Sequence, residues 1–123
     1  MLLSLDYAGD VPIYQQLRNQ IVLGIAAGDL KTGEKLPTIR ALATELGINM
    51  MTVSKAYQIL KQEGYISSDR RNGAWVSCKA GGAGALGKLE GELKLIVAEA
   101  RLGGVEEEVI VALCRKFYHE GDV

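Results

Sequence analysis

The feature that most constrains this chain is a pair of short helical stripes set about three residues apart around Gly47. Leu36-Pro37 leads into Thr38, a residue type that caps helices by accepting from unpaired backbone N–H groups, and Ala41, Leu42 and Leu46 then mark one face as far as Gly47. Asn49 offers a second cap, and Val53, Ala56, Tyr57 and Leu60 share one face of a helix running to Gly64. At roughly 3.6 residues per turn the first of these helices has about two and a half turns. Two helices joined through so short a glycine-containing turn predict a helix-turn-helix.

What surrounds that motif narrows the fold further. Pro12 can open an earlier helix, with Ile13, Leu17, Ile21 and Ile25 recurring every four residues until Gly28. After the helix-turn-helix, the β-prone Tyr65-Ile66 and Ala74-Trp75-Val76 flank a polar loop from Ser67 to Gly73. Helix, helix-turn-helix, hairpin is the order of a winged helix, expected over residues 1–78. Tyr57 and Trp75 read as core residues rather than stacking platforms, because apolar partners flank or alternate with them.

Residues 79–85, with the run Ala80-Gly-Gly-Ala-Gly-Ala85, read as a linker, since so many small residues resist any regular element. Residues 86–123 then carry two more helices. In the first, Leu86, Leu89, Leu93, Ile96 and Ala100 alternate steps of three and four, the seam of a helix that packs on another helix, and Gly103-Gly104 ends it. The second starts with Glu106-Glu107-Glu108 and finishes near Arg115, Lys116 and His119, the charge order that complements a helix dipole, with Val105, Val109, Ala112, Leu113 and Phe117 as its apolar positions. Helices this short enclose no core between themselves, so their faces need the winged helix or a second copy of the chain. Leu86, Leu89, Leu93, Ile96, Val109, Leu113 and Phe117 are the expected dimerisation residues. The expected fold is mainly α with a small β-hairpin: a winged helix-turn-helix domain followed by a C-terminal two-helix dimerisation hairpin.

Composition excludes other classes. A chain of 123 residues has no room for a large catalytic domain, and its longest apolar run is too short to span a bilayer. Met1 to Gly9 lacks a basic segment followed by an apolar one, so no signal peptide is read, no membrane partner is expected and the cytoplasm is the expected location. Cys78 and Cys114 have no second Cys or His at ligand spacing and read as unpaired thiols. Cys114 and the only histidine, His119, fall on different helix faces, which argues against a shared metal. No catalytic residue, metal ligand or cofactor site is read in the chain.

The net charge of −1 gives no general attraction to nucleic acid, but the charge divides unevenly. Residues 1–78 hold eight Lys or Arg against seven Asp or Glu, whereas residues 79–123 hold six against eight. Position therefore matters more than sum. Met51, Ser54, Lys55 and Gln58 lie opposite the core stripe of the third helix, the face that enters the major groove in a helix-turn-helix. Met51 suits contact with a thymine methyl, and Ser54 and Lys55 suit hydrogen bonds to bases or phosphates. For any one of them taken singly a solvated helix face is the favoured reading, and an exposed Met51 without a packing reason weighs against it. Arg40, just inside the second helix, suits a phosphate or a base, with an ion pair to Glu34 as its alternative. Arg70-Arg71, adjacent on a turn, suit phosphates or a minor groove, against the plainer reading of a solvated loop.

Residues 12–77 resemble the DNA-binding domain of the GntR family of bacterial regulators. The resemblance is carried by Pro12-Ile-Tyr-Gln-Gln-Leu17, Gly28-Asp-Leu30, Gly33-Glu-Lys-Leu-Pro37, Thr38-Ile-Arg-Ala-Leu-Ala43, Leu46-Gly-Ile48, Thr52-Val53, Ala56-Tyr57 and Glu63-Gly-Tyr-Ile66, in that order and spacing. The short two-helix tail is similar to that of the YtrA-like subfamily. The resemblance implies a homodimer that binds double-stranded DNA at a palindromic operator, usually as a repressor and often beside genes for membrane transporters. It also implies that Thr38 and Arg40 lie at the DNA, that Asn49, Met50, Met51 and Thr52 form the turn and the first residues of the recognition helix, that Lys55 occupies a basic position, and that Gly73 is the wing glycine. Met50, Met51, Ser54, Arg71, Ala74 and Trp75 depart from the usual family residues, so the resemblance carries over DNA binding but not the operator sequence.

Two other functions compete with this one. Some members of the family carry a domain that binds pyridoxal phosphate, but the residues after the linker are too few to supply that pocket or its lysine. A winged helix used for protein–protein contact is the stronger competitor, with the paired arginines of the hairpin against it. The tail is too small for a typical metabolite pocket, so any effector ligand is unknown.

Overall fold

Pro12 has φ −55°, already close to helical, and its carbonyl accepts from the N–H groups of Gln15 and Gln16. From there α1 spans Ile13–Ala26. The computed structural model that shows this describes residues 3–78 and 85–120, in two units lying within 1–79 and 80–123. The linker expected over 79–85 lies outside the described residues, apart from the backbone of Ala85, which opens the fourth helix.

In the first unit α2 spans Ile39–Leu46 and α3 spans Met50–Gln62. The turn between them is set by Gly47 at φ 68°, a left-handed conformation in which a β-carbon would be strained. Leu17 and Ile21 of α1 meet Val53, Ala56, Tyr57 and Leu60 of α3, with Leu42 and Ala43 of α2 closing one side. Ala41, expected in the stripe of α2, is exposed, and Ala43 is buried in its place. Ala43 follows directly on Leu42 and lies about 100° further round the helix, so the buried arc turns toward that side.

The hairpin is longer and tighter than expected. Strand β1 spans Ile66–Asp69 and β2 spans Gly73–Val76, paired antiparallel with Ile66 opposite Val76 and Asp69 opposite Gly73. Tyr65 therefore precedes the strand, and the loop shrinks to Arg70, Arg71 and Asn72. Such a loop needs a left-handed residue at its exit, which Gly73 supplies at φ 72°. Asp69 closes it by accepting from the Asn72 N–H at 2.5 Å and from its side-chain amide at 3.1 Å. Trp75 is half-buried rather than core, because it adjoins the buried Val76 on β2 and so faces the other side of the sheet. The N–H groups of Gly33 and Leu36 donate to Val76 and Ala74, and Val76 donates to Glu34, so residues 33–36 pair along the free edge of β2.

A strap precedes α1. The Ser4 N–H donates to Gln20 Oε1 at 2.8 Å and the Asp6 N–H to Gln16 Oε1 at 2.7 Å, while both side-chain amides donate back to the carbonyls of Ser4 and Asp6. Two extended residues rise about 6.6 Å and four helical ones about 6 Å, so glutamines one turn apart match alternate residues of the strap. The Tyr7 hydroxyl then donates to the Leu46 carbonyl at 2.8 Å, at the end of α2.

The second unit consists of α4, Ala85–Leu102, and α5, Glu107–Tyr118. Gly104 at φ 80° turns the chain between them, with the Val105 N–H donating to the Ala100 carbonyl at 2.9 Å. Glu107 and Glu108 lie in the first turn of α5 and Arg115 and Lys116 in its last. Among the described residues of this unit none is buried, and Leu86 and Leu89 are 76% and 60% exposed.

Candidate nucleic-acid interface

The outer face of the helix-turn-helix is held by two side-chain caps. Thr38 Oγ1 accepts from the Ala41 N–H at 3.0 Å and Asn49 Oδ1 from the Met51 N–H at 2.7 Å. Both residues, expected at the DNA, thus have a local structural task at the start of a helix. The Tyr57 hydroxyl donates to the Pro37 carbonyl at 2.8 Å and locks the entry of α2 to α3. Burial pushes its phenol above its ordinary value, so the hydroxyl keeps the proton that this bond uses.

Beyond the caps, α3 presents two overlapping ridges. Met51, Lys55 and Gln58 stand one turn apart, as do Ser54, Gln58 and Lys61. Met51 is 78% exposed and Met50 is exposed beside it, with Thr52 half-buried. One groove of about 550 Å³ is lined by Tyr14, Met51, Thr52, Ser54, Lys55 and Gln58. A second, of about 350 Å³, runs between the start of α2, α3 and the hairpin, and brings Thr38, Ser54 and Gly73 together with Gln58, Lys61 and Asp69.

The arginines stand apart from both grooves. Arg40, Arg70 and Arg71 are exposed, and none has a side-chain hydrogen bond or ion pair among the described residues. The alternative partner for Arg40, Glu34, instead accepts from the Lys31 N–H at 3.2 Å. Asp69, at the foot of the arginine turn, has its carboxyl held below the usual range first by the Asn72 N–H, then by the Asn72 side chain, and less by Lys35. The Lys55 ammonium lies 4.0 Å from the centroid of the Tyr14 ring.

Sequence reasoning did not single out Tyr14 or Lys61. Lys61 continues the ridge of Ser54 and Gln58, a spacing that was legible, whereas nothing local ties Tyr14 to a helix some forty residues later. Among the described residues no cluster of His, Cys, Asp or Glu suits a metal, both cysteines are free, and no helix is long and apolar enough to cross a membrane.

The same architecture recurs in known proteins. The model of the bacterial regulatory proteins of the gntR family matches residues 12–76. The HTH-type transcriptional repressor YtrA of Bacillus subtilis is 36% identical over 110 residues, which span 87% of this chain and 85% of that protein. The crystal structure of a transcriptional antiterminator from Listeria monocytogenes superposes with a TM-score of 0.87 at 28% identity, covering 95% of this chain and 90% of its own. The DNA-binding domain of AraR, crystallised in complex with an operator, covers 61% of this chain and 96% of its own with a TM-score of 0.56 at 26% identity. With a winged helix and an exposed recognition face, matched by the family model over more than half its length and by a repressor over most of it, this chain belongs to the GntR family of DNA-binding transcription regulators.

Proposed function

We propose that this chain is a cytoplasmic homodimeric repressor that binds a palindromic operator, with membrane-transporter genes among its targets. Control of transporter genes rests on the likeness to YtrA-like regulators alone. The observation that carries the reading is the outer side of α3: Met51 stands 78% exposed in line with Lys55 and Gln58, while Arg40, Arg70 and Arg71 are exposed with no side-chain partner among the described residues. In the major groove Met50, Met51, Thr52 and Ser54 meet base edges, with Lys55 at the margin. Thr38, Arg40 and Asn49 meet the backbone at the helix starts, and Arg70 and Arg71 reach past the groove edge from a turn that Gly73 shapes.

The second unit supports the dimer. At 1.5 Å per residue α4 is about 27 Å long and α5 about 18 Å, so α5 is too short to cover all of α4. Leu86, Leu89, Leu93 and Ile96, with Val109, Leu113 and Phe117, form the exposed faces that a second copy covers by two-fold symmetry. Recognition helices then sit one or two DNA turns apart, roughly 34 Å per turn.

The test is binding to the chain's own promoter region across a range of salt concentrations. The expected result is tight, salt-sensitive binding that Arg40→Ala weakens and the joint change of Arg70 and Arg71 to Ala weakens further, with the salt slope falling by about one for each phosphate that is no longer neutralised. Binding no tighter than to random duplex would favour a protein-binding module instead.

A further inference from the structure

Tyr14 is half-buried at the edge of the core, one residue into α1, and its ring carries the Lys55 ammonium at 4.0 Å from the centroid. Its hydroxyl makes no hydrogen bond among the described residues, so the ring face is what it offers its neighbour. A lysine on an exposed helix face ordinarily samples many rotamers, and a cation over an aromatic face is drawn to one of them by the ring quadrupole. Here the pull is sideways, from the ridge of Met51 and Gln58 toward α1.

The dimensions of the groove give that direction a meaning. The major groove is about 12 Å wide, and a helix with its side chains is about 10–12 Å across. A helix seated in it fills it, so a packed neighbour on its flank faces the sugar–phosphate edge. We propose that Tyr14 is a positioning residue for DNA binding: its ring holds Lys55 over the α1 flank, where the ammonium meets a backbone phosphate and not a base. A compact ammonium suits that task, because it acts as a point charge without the planar fork that reads guanine. The inference rests on the DNA-binding reading above and adds to it which residue sets affinity without setting sequence preference.

The full chain with Tyr14→Phe, Tyr14→Leu, Lys55→Gln and the pair Tyr14→Leu with Lys55→Gln tests it, on the promoter and on random duplex. Tyr14→Phe keeps the ring and should bind like the parent. Tyr14→Leu should weaken binding about two- to fivefold on both DNAs, the scale of an exposed cation–π interaction. Lys55→Gln should lower the salt slope by about one on both, and Tyr14→Leu should add nothing to it. Ring-current displacement of the Lys55 side-chain resonances in the unbound parent, absent in Tyr14→Leu, checks the stack without relying on a variant's fold. Equal losses for the two Tyr14 variants, additive losses with Lys55→Gln, an undisplaced Lys55, or a Lys55→Gln that alters operator preference at unchanged slope would each overturn this inference while leaving DNA binding intact. A parent chain that does not prefer its promoter would overturn both readings.

Discussion

In the first unit, α1 and α3 hide Leu17, Ile21, Val53 and Leu60 completely, whereas in the second, α4 and α5 leave Leu86, Leu93, Ile96, Leu113 and Phe117 exposed. Both pairs of helices carry apolar residues at helical spacing, so the presence of a stripe does not decide the outcome. The number of surfaces does. Two helices shield a line between them, while a third helix and a sheet close the space around it. Val76 at the end of β2 and Leu30 after α1 are buried because the chain returns to cover them. The second unit makes no such return among its described residues.

A paired truncation gives the largest effect and tests that contrast directly. Leu93→Ala should leave the first unit's unfolding unchanged and weaken the association of the proposed dimer, since a buried leucine contributes about 1.5–3 kcal/mol and a two-fold interface would lose it twice. Leu60→Ala should cost about 2–5 kcal/mol of unfolding free energy at any protein concentration. Sedimentation and denaturant titration separate the two. If Leu93→Ala lowered stability independently of concentration, the seam would be packed within one chain.

Helix starts extend the contrast on a smaller scale. Thr38 caps α2, which has only eight residues, whereas Glu106 before α5 makes no side-chain cap. Thr38→Ala should therefore cost about 1 kcal/mol in thermal or denaturant unfolding, and Glu106→Ala less than half of that. Equal losses would mean that the hydroxyl of Thr38 contributes nothing beyond its position.

The smallest expected effect concerns pH. The Asp69 carboxyl is held below its ordinary value in the folded chain, so its stabilising contribution is present above the unfolded carboxylate range and is lost as pH falls through the lowered folded value. Asp69→Asn, which keeps one acceptor for the Asn72 N–H but removes the charge and the second acceptor, should flatten the acid side of a plot of melting temperature against pH, read from the fluorescence of Trp75 on β2. An unchanged acid limb would remove Asp69 as a source of pH dependence.

Much of this was legible because it is local. The caps at Thr38 and Asn49, the left-handed turn at Gly47 and the buried stripe of α3 are each set by residues within a turn or two of one another. The exchange of Ala41 for Ala43 marks the limit of a period read over eight residues, where an error of one position moves the face by about 100°. Partners distant in sequence were not legible. Residues 33–36 pair with β2 through backbone groups that any side chains would provide, and the strap before α1 depends on Gln16 and Gln20, which on their own read as solvated. The candidate site divides in the same way: the helix face and the hairpin arginines follow from spacing and type, while the seat of Lys55 on Tyr14 needs the packing of α1 on α3.

The strap has a consequence for which mutations the chain can accumulate. Its four bonds to Gln16 and Gln20 use the peptide groups of residues 4 and 6, so position 4 can drift through many side chains without loss. The two glutamines have no such latitude, because no other residue of that length both donates and accepts from one planar end. Variation in this corner of the molecule should therefore gather on the outer segment and spare the helix beneath it, the reverse of what exposure alone would suggest.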